Sequence, residues 1–444
     1  DSAEIRTAAA AAIIEIDGDS SDRAVEILDG ALQSSDALTQ SNALRRLENN
    51  EKILPDSKLE AFLKEENILA SNAALLVAEK RKKDTLIPAI ILNLGNSKTF
   101  LQARQALKSF DENVVLEHFT NILSSSDLSR NVRRGIVKAL KDYSDVNLLL
   151  DQLDEADQGM YNETVDSLLV CARAESFDEN RLEVISGEIH KIARKLYAFN
   201  VCKKLLPENN KQLLMVDHLN NEIQNTLPSL LKLGVMSKPN TPIETYIQII
   251  KTGDPAKLPF LLEFFENIFN KEQRSIINPL IEEISLEEKT EIGKTHFKDL
   301  PNNINEELIT LLHSANKWES IITLDFMIQS QMKELLSSLD WNKIPNSSGN
   351  CELVQRLSKK DALNIENIPL ERFKLETVEL NMYSTLEKTI ILKSVDLFKS
   401  IPAENLSRVA QITEEVRCND DESIITEGEF GDSLFIVVDG NVRI

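Results

Sequence analysis

The chain has 444 residues, with 72 Asp or Glu against 50 Lys or Arg and a formal net charge of −22. That balance repels phosphate backbones and anionic lipid, so neither nucleic acid nor an acidic membrane surface is expected as a direct partner. An apolar fraction of 42% with only 5% aromatics, and Gly and Pro at 13 each, points to real cores built from helices, with room for about three domains.

Cys171, Cys202, Cys351 and Cys418 lie far apart and form no Cys-x-x-Cys, so reduced thiols in a cytoplasmic setting are expected in place of a disulfide framework. The apolar stretch at residues 86–94 is too short to span a bilayer, and no secretory leader is recognisable.

Along residues 1–179 the sequence repeats itself. Gln102-Ala103-Arg104-Gln105-Ala106-Leu107-Lys108-Ser109-Phe110 returns as Arg134-Gly135-Ile136-Val137-Lys138-Ala139-Leu140-Lys141-Asp142-Tyr143, with Ala139 in the place of Ala106. An equal step beyond Ala139 stands Ala172, and Asn72-Ala73-Ala74-Leu75-Leu76 echoes the earlier Asn42-Ala43-Leu44. Each echo follows another amphipathic stretch and a short polar turn, such as Ser124-Ser125-Ser126-Asp127. Paired helices of this period, with a small residue where they cross, resemble HEAT repeats, in which each unit buries its apolar stripe only by stacking on its neighbours. Roughly five such units fill this stretch. Tetratricopeptide repeats share the length but would show Trp-Leu-Gly and Pro signatures that are missing here.

From 180 to 341 the period stays helical and the units lengthen. Phe260-Leu261-Leu262-Glu263-Phe264-Phe265-Glu266-Asn267-Ile268-Phe269 followed by Ile276-Ile277-Asn278-Pro279-Leu280-Ile281 resembles the helix pairs of bacterial proteins that join HEAT repeats to a cyclic nucleotide-binding domain. Some of those carry a nucleotide-translocase-like membrane domain in front. Trp318 matches a Trp recurrent in them, where packing is its expected role. Residues 342–382, punctuated by Pro345, Ser347-Ser348-Gly349-Asn350 and Pro369, read as a partly ordered linker whose Val354, Leu357, Phe373, Leu375 and Val378 pack locally.

Residues 383–444 carry the sharpest resemblance. A helical run at 385–394 leads to Val395-Asp396-Leu397-Phe398, a second helical stretch at 402–415, and β-branched runs at 423–426 and 434–438 bounded by Gly428, Gly431 and Gly440. Together with Glu427-Gly428-Glu429-Phe430-Gly431-Asp432 this resembles the front half of a cyclic nucleotide-binding domain, with Asp421 departing from the family's usual glycine. The resemblance implies structural roles for Gly428, Gly431, Asp432 and Gly440, and cyclic AMP or cyclic GMP as ligand of the complete protein. The family's phosphate-binding turn and Arg lie beyond the strand that ends at Ile444, so residues 1–444 are expected not to bind the nucleotide themselves. A domain cut between strands leaves an open edge, and with the start at Asp1 this reads as a piece of a longer protein.

Other motifs carry little chemistry. Gly293-Lys294-Thr295 lacks the preceding glycine that a phosphate loop needs, since Glu288 stands at that place. His118, His190, His218, His296 and His313 show no i, i+4 pairing with a catalytic Glu and no metal-ligand spacing to a cysteine, so solvated or core roles are expected. Asp151, Asp154, Glu155 and Asp157, and Asn419-Asp420-Asp421-Glu422, lack a calcium-loop register. Lys80-Arg81-Lys82-Lys83 is the one basic cluster, open to a phosphate or an acidic partner or explained by a helix C-terminus. No catalytic residue, cofactor ligand or metal ligand is therefore assigned.

The expected fold class is mostly α: a HEAT-like α-solenoid followed by a truncated β jelly-roll, the cyclic nucleotide-binding-like domain. The expected function is a non-enzymatic regulatory scaffold that binds a protein partner on the solenoid surface and couples it to a nucleotide-sensing module. It would act in the cytoplasm or at the cytoplasmic face of a membrane. The alternative is the cytosolic appendage of a translocase-like transporter, with its membrane domain upstream of Asp1.

Overall fold

The computed structural model describes all residues except 1–2, 18–21, 126–127, 144, 155–157, 208–212, 253, 315, 360–367, 374–382, 420–421, 427, 429–430, 432 and 444. The chain forms two compact units: Asp1–Ser186 with Val235–Thr241, and Gly187–Gly234 with Pro242–Ile444.

Unit 1 is a stack of helix pairs. In chain order its helices are α1 (Ala3–Asp17), α2 (Asp22–Leu32), α3 (Ala37–Arg46), α4 (Asp56–Leu63), α5 (Ile68–Arg81), α6 (Ile87–Leu92), α7 (Phe100–Leu107), α8 (Glu112–Leu123), α9 (Arg130–Leu140), α10 (Val146–Leu150) and α11 (Gln158–Ala174). One layer runs α3, α5, α7, α9, α11. α3 packs on α5 and α5 on α7, the 3₁₀ turn Asn93–Gly95 bridges α7 and α9, and α9 packs on α11. Because α4, α6, α8 and α10 intervene in sequence, successive helices of this layer run the same way. Their N-caps Asp36, Asn67, Thr99 and Ser129 follow one another at a nearly constant step.

The repeat is built by burying the same positions each time. At matching places after the four caps stand Ala43 and Leu44, Ala74 and Leu75, Ala106 and Leu107, Ile136 and Val137, all buried. Small side chains on α5 (Ala70, Ser71, Ala73, Ala74 and Ala78) let both neighbouring helices approach it. At the turn Asn93–Gly95 the approach reaches backbone contact: a Cβ on Gly135 would sit 2.2 Å from the carbonyl oxygen of Leu94. Polar ties recur at the repeat period. The Asn93 amide donates to the Leu63 carbonyl at 2.7 Å, the Ser109 hydroxyl to the Glu79 carbonyl at 3.1 Å, and the Ser167 hydroxyl to the Val137 carbonyl at 3.0 Å. Each satisfies a helix-end or helix-wall carbonyl that stacking would otherwise bury unpaired.

Unit 2 takes most of α12 (Glu179–Leu205), then α13 (Leu213–Gly234), α14 (Glu244–Thr252), α15 (Leu258–Ile268), α16 (Lys271–Ile281), α17 (Leu286–His296), α18 (Ile304–Leu312), α19 (Lys317–Gln329), α20 (Lys333–Ser338), α21 (Ser348–Lys359), α22 (Thr385–Ser394) and α23 (Ala403–Ile412). Its main core gathers Phe199, Met215, Leu308, Trp318, Phe326, Trp341, Val354 and Phe373, residues drawn from widely separated segments. Within 342–382, α21 and the turn Leu370–Phe373 are therefore parts of that core, with Val354 and Phe373 fully buried; Leu375 and Val378 lie outside the described residues.

The expected β jelly-roll is not there: among the described residues no strand forms. The helical prelude does form, as α22 and α23 packed on each other with Leu392, Leu406 and Ala410 buried between them. Beyond Thr413 the described residues form no ladder, and Ile425, Leu434, Val437 and Val438 are exposed, with Ile436 resting on the α22–α23 cluster. β-branched residues favour extended backbone, but they make a strand only when a second segment accepts their N–H and C=O groups, and the described residues supply none.

Candidate functional site

Two arrangements gather chemistry, one in each unit. In unit 1 it is the outer face of the α3–α9 layer. The second residue of three successive helices of that layer is a leucine left in solvent: Leu38 is 56% exposed, Leu69 51% and Leu101 73%, and Asn131 takes the position in α9. The same layer separates charge. α3, α5, α7 and α9 contain Arg45, Arg46, Lys80, Arg81, Arg104, Arg130, Arg133, Arg134 and Lys138 against one acid, Glu79. Other helices of unit 1 lean acidic, with Asp22, Glu26 and Asp29 against Arg23 on α2, Asp56 and Glu60 against Lys58 on α4, and Glu112 and Glu117 on α8, while α6 carries no charge.

Several of these cations tie repeats together. Asp142 receives both Arg104 and Lys108, and burial, which would raise its pKa, is outweighed by those two cations, leaving its carboxyl below the ordinary range. Glu163 receives Arg134 at 2.9 Å and Lys138 at 3.3 Å. Within the basic cluster, the side chain of Arg81 is nearly enclosed. Its guanidinium donates to the carbonyls of Glu48 at 2.8 Å, Leu54 at 2.7 Å and Leu47 at 3.0 Å, and meets Asp56 at 3.2 Å. Lys80 pairs with Glu48 and Lys83 with Glu51. This cluster seals the C-terminal end of α3, and its arginine does not face solvent.

In unit 2 the chemistry is buried. The inward face of α13 carries Met215, His218, Leu219, Glu222 and Thr226, the i, i+3, i+4, i+7 pattern of a core stripe with two ionisable groups in it. His218 Nε2 lies 3.0 Å from Glu319 Oε1 on α19, and Glu307 on α18 is buried nearby in the same field. Burial pushes the His218 imidazole down, but the Glu319 bond and the charges of Glu319, Glu222 and Glu404 outweigh it, so its pKa is raised. Burial raises the carboxyls of Glu222 and Glu307, the latter further through Glu319. Among the described residues no cluster has the geometry to hold a metal ion.

Next to that cluster α23 is tied to α13. Asp217 Oδ2 accepts from the Ala403 N–H at 3.3 Å, in the first turn of α23 beside Glu404, and Asp217 Oδ1 meets Lys393 Nζ of α22 at 3.1 Å. Lys393 also donates to the Ile401 carbonyl at 2.7 Å, closing the loop between the two helices.

The residues singled out from sequence fall elsewhere. Gly428 and Gly440 have φ of 90° and 91°, the left-handed region glycine favours, and with Gly431 they lie exposed where an added Cβ would meet nothing; Asp432 lies outside the described residues. Gly293 is inside α17, where a Cβ would press on Tyr197 at 2.5 Å, so it is a packing glycine. Trp318 is in the core. Cys171, Cys202, Cys351 and Cys418 are all free thiols, the first three buried. Sequence reading missed that His218 and Glu222 are an i, i+4 pair; the signal available was their phase with Met215 and Leu219.

Among the described residues no helix is long and apolar enough to cross a membrane. No known protein-family model matches the chain.

Proposed function

We propose that the chain is a non-enzymatic scaffold that holds a protein partner on the α3–α9 layer of unit 1. The observation that carries this reading is the recurrence of an exposed leucine at one helical position in three consecutive repeats, Leu38, Leu69 and Leu101. Single exposed leucines are ordinary, but a row at the repeat period is what a stack offers to an extended partner. The pair α22–α23, fastened to α13 through Asp217, is the regulatory element of unit 2: a signal that displaced it would break two polar ties and bring Glu404 away from His218.

A photo-crosslinking amino acid at position 69, and another at the exposed Ile412 of α23 as comparison, tests the scaffold in cells. The expected result is a discrete protein adduct from position 69 that disappears in the Leu38→Ser/Leu101→Ser background. Absence of any protein adduct at position 69, or adducts indifferent to those leucines, would reject it.

A further inference from the structure

Resting on the scaffold reading, we infer that the partner segment is an acidic amphipathic helix, with its apolar seam on Leu38, Leu69 and Leu101 and its carboxylates toward Arg45 and Arg46 at the end of α3. Charge is the first argument. In a protein of net charge −22, α3, α5, α7 and α9 hold nine basic residues and one acidic one. Most of these cations are engaged inside the stack: Arg81 is enclosed beside Asp56, Lys80 pairs with Glu48, Arg104 with Asp142, and Arg134 and Lys138 with Glu163. Arg45 and Arg46, at the end of α3, are exposed. These two arginines put exposed positive charge beside the leucine row in an acidic molecule, which favours an acidic segment there.

Spacing is the second argument. Neighbouring packed helices lie about 8–10 Å apart, so equivalent leucines on α3, α5 and α7 form a row with that step. A partner helix rises about 1.5 Å per residue, so apolar residues every seventh position recur at about 10.5 Å and match the row. Basic groups follow Leu38 and Leu101 by about one to two turns, as Arg45 and Arg46 and as Arg104, and Arg134 stands likewise after Asn131; after Leu69 the first is Lys80, about three turns on. The carboxylates of the partner therefore belong on one flank of its seam. A polynucleotide would use the cations and leave the leucines without a counterpart, which is why a peptide is favoured.

The probe is a labelled helix-forming peptide of about three heptads, with leucine at every seventh residue and glutamate along one flank, titrated onto the full chain by fluorescence anisotropy. Saturable binding is expected, weakened at least tenfold by Leu38→Ser/Leu69→Ser/Leu101→Ser, and to a similar extent by Arg45→Glu/Arg46→Glu, and falling with added salt. Far-ultraviolet circular dichroism of each variant confirms that it is folded. No binding of the acidic peptide, equal binding of its lysine-substituted version, or tighter binding of duplex DNA that ignores the leucine changes would each overturn the inference. The two readings fail separately: a position-69 adduct with a protein whose crosslinked segment is neutral or basic keeps the scaffold and removes the acidic helix.

Discussion

Unit 1 and unit 2 are both helical, yet they distribute their stabilising contacts differently. In unit 1 the ties between repeats reach one unit back or forward, as when Asn93 meets Leu63 or Arg134 meets Glu163. In unit 2 the ties skip across the sequence: His218 meets Glu319 101 residues away, and Ala403 meets Asp217 across 186 residues. A stack of nearest-neighbour contacts loses stability locally when damaged, whereas a shared core loses it everywhere at once. The buried carboxyls at the centre of each arrangement also push in opposite directions. Asp142 in unit 1 is held below its ordinary range and loses stability as pH falls, while Glu222 and Glu307 in unit 2 are raised and lose stability as pH rises.

The largest effect expected from breaking this contrast is His218→Leu. It leaves Glu319 buried without its partner, which costs about 3–5 kcal/mol. His218 is raised above 6.5, so its contribution is fully present below that pH and is lost as pH rises through the folded value; the penalty should shrink on the alkaline side. The double change His218→Leu/Glu319→Leu removes both charges and should recover most of the loss. Trp318 and Trp341, the two tryptophans of the chain, both sit in the core of unit 2, so denaturation followed by tryptophan fluorescence reads this unit. A double variant as unstable as the single would mean the pair acts through shape and not charge.

Next in size is Arg81→Leu, which strips the donors from four carbonyls, Leu47, Glu48, Asn50 and Leu54, in the connection from α3 to α4 and should cost about 3 kcal/mol. Here the location matters as much as the magnitude. Hydrogen exchange should accelerate in α3, α4 and α5 and stay unchanged in α13 and α19. Acceleration spread through unit 1 to α11 would show that the stack unfolds as one body.

Unit 1 is largely legible in the sequence because its contacts are local and periodic. The small residues at Ala43, Ala74 and Ala106 mark where helices cross, and the repeat period follows from their spacing. The register differs by one turn in the fourth repeat: the sequence echo aligns Ala139 with Ala106, but the cap at Ser129 places Ile136 there, because Gly135 already supplies the close approach. In unit 2 α22 is legible to its ends, since Ser384 and Glu387 form a capping box that is purely local. The His218–Glu319 pair is illegible for the opposite reason: nothing in sequence links α13 to α19. The tail misleads because β-branched runs and glycines describe what a segment can become, while pairing depends on a second segment. Lys80-Arg81-Lys82-Lys83 misleads by composition, since burial of Arg81 is set by carbonyls 27 to 34 residues earlier.

A smaller effect, of opposite sign, is expected from Asp325→Asn on α19. Burial pushes this carboxyl up to about 6 from 3.8, against a bond from Gln329 and with help from Glu387. A raised acid disfavours its own ionisation, so its stability contribution is lost as pH rises from about 4 to 6 and stays lost above. The asparagine should match the parent at pH 4 and be more stable at pH 7 by about 2 kcal/mol. Equal gains at both pH values would place the benefit in hydrogen bonding and not in charge.

The smallest effect on stability belongs to the surface on which function is proposed. Leu38, Leu69 and Leu101 each keep about half or more of their surface in water, so serine there removes little packing, and the triple change should alter stability by no more than about 1 kcal/mol. Serine at the second position of a helix loses a little intrinsic propensity, a few tenths of a kcal/mol at most per site. A loss several times larger would mean the leucines hold the stack together, and their row would then be a structural seam. The comparison with Arg81 fixes the meaning: a charged residue in the same layer is held by carbonyls inside the stack, while three apolar residues face out. A layer that places a row of leucines in water while Arg81 lies among backbone carbonyls has inverted the usual arrangement, and the exposed row is what the proposed partner would cover.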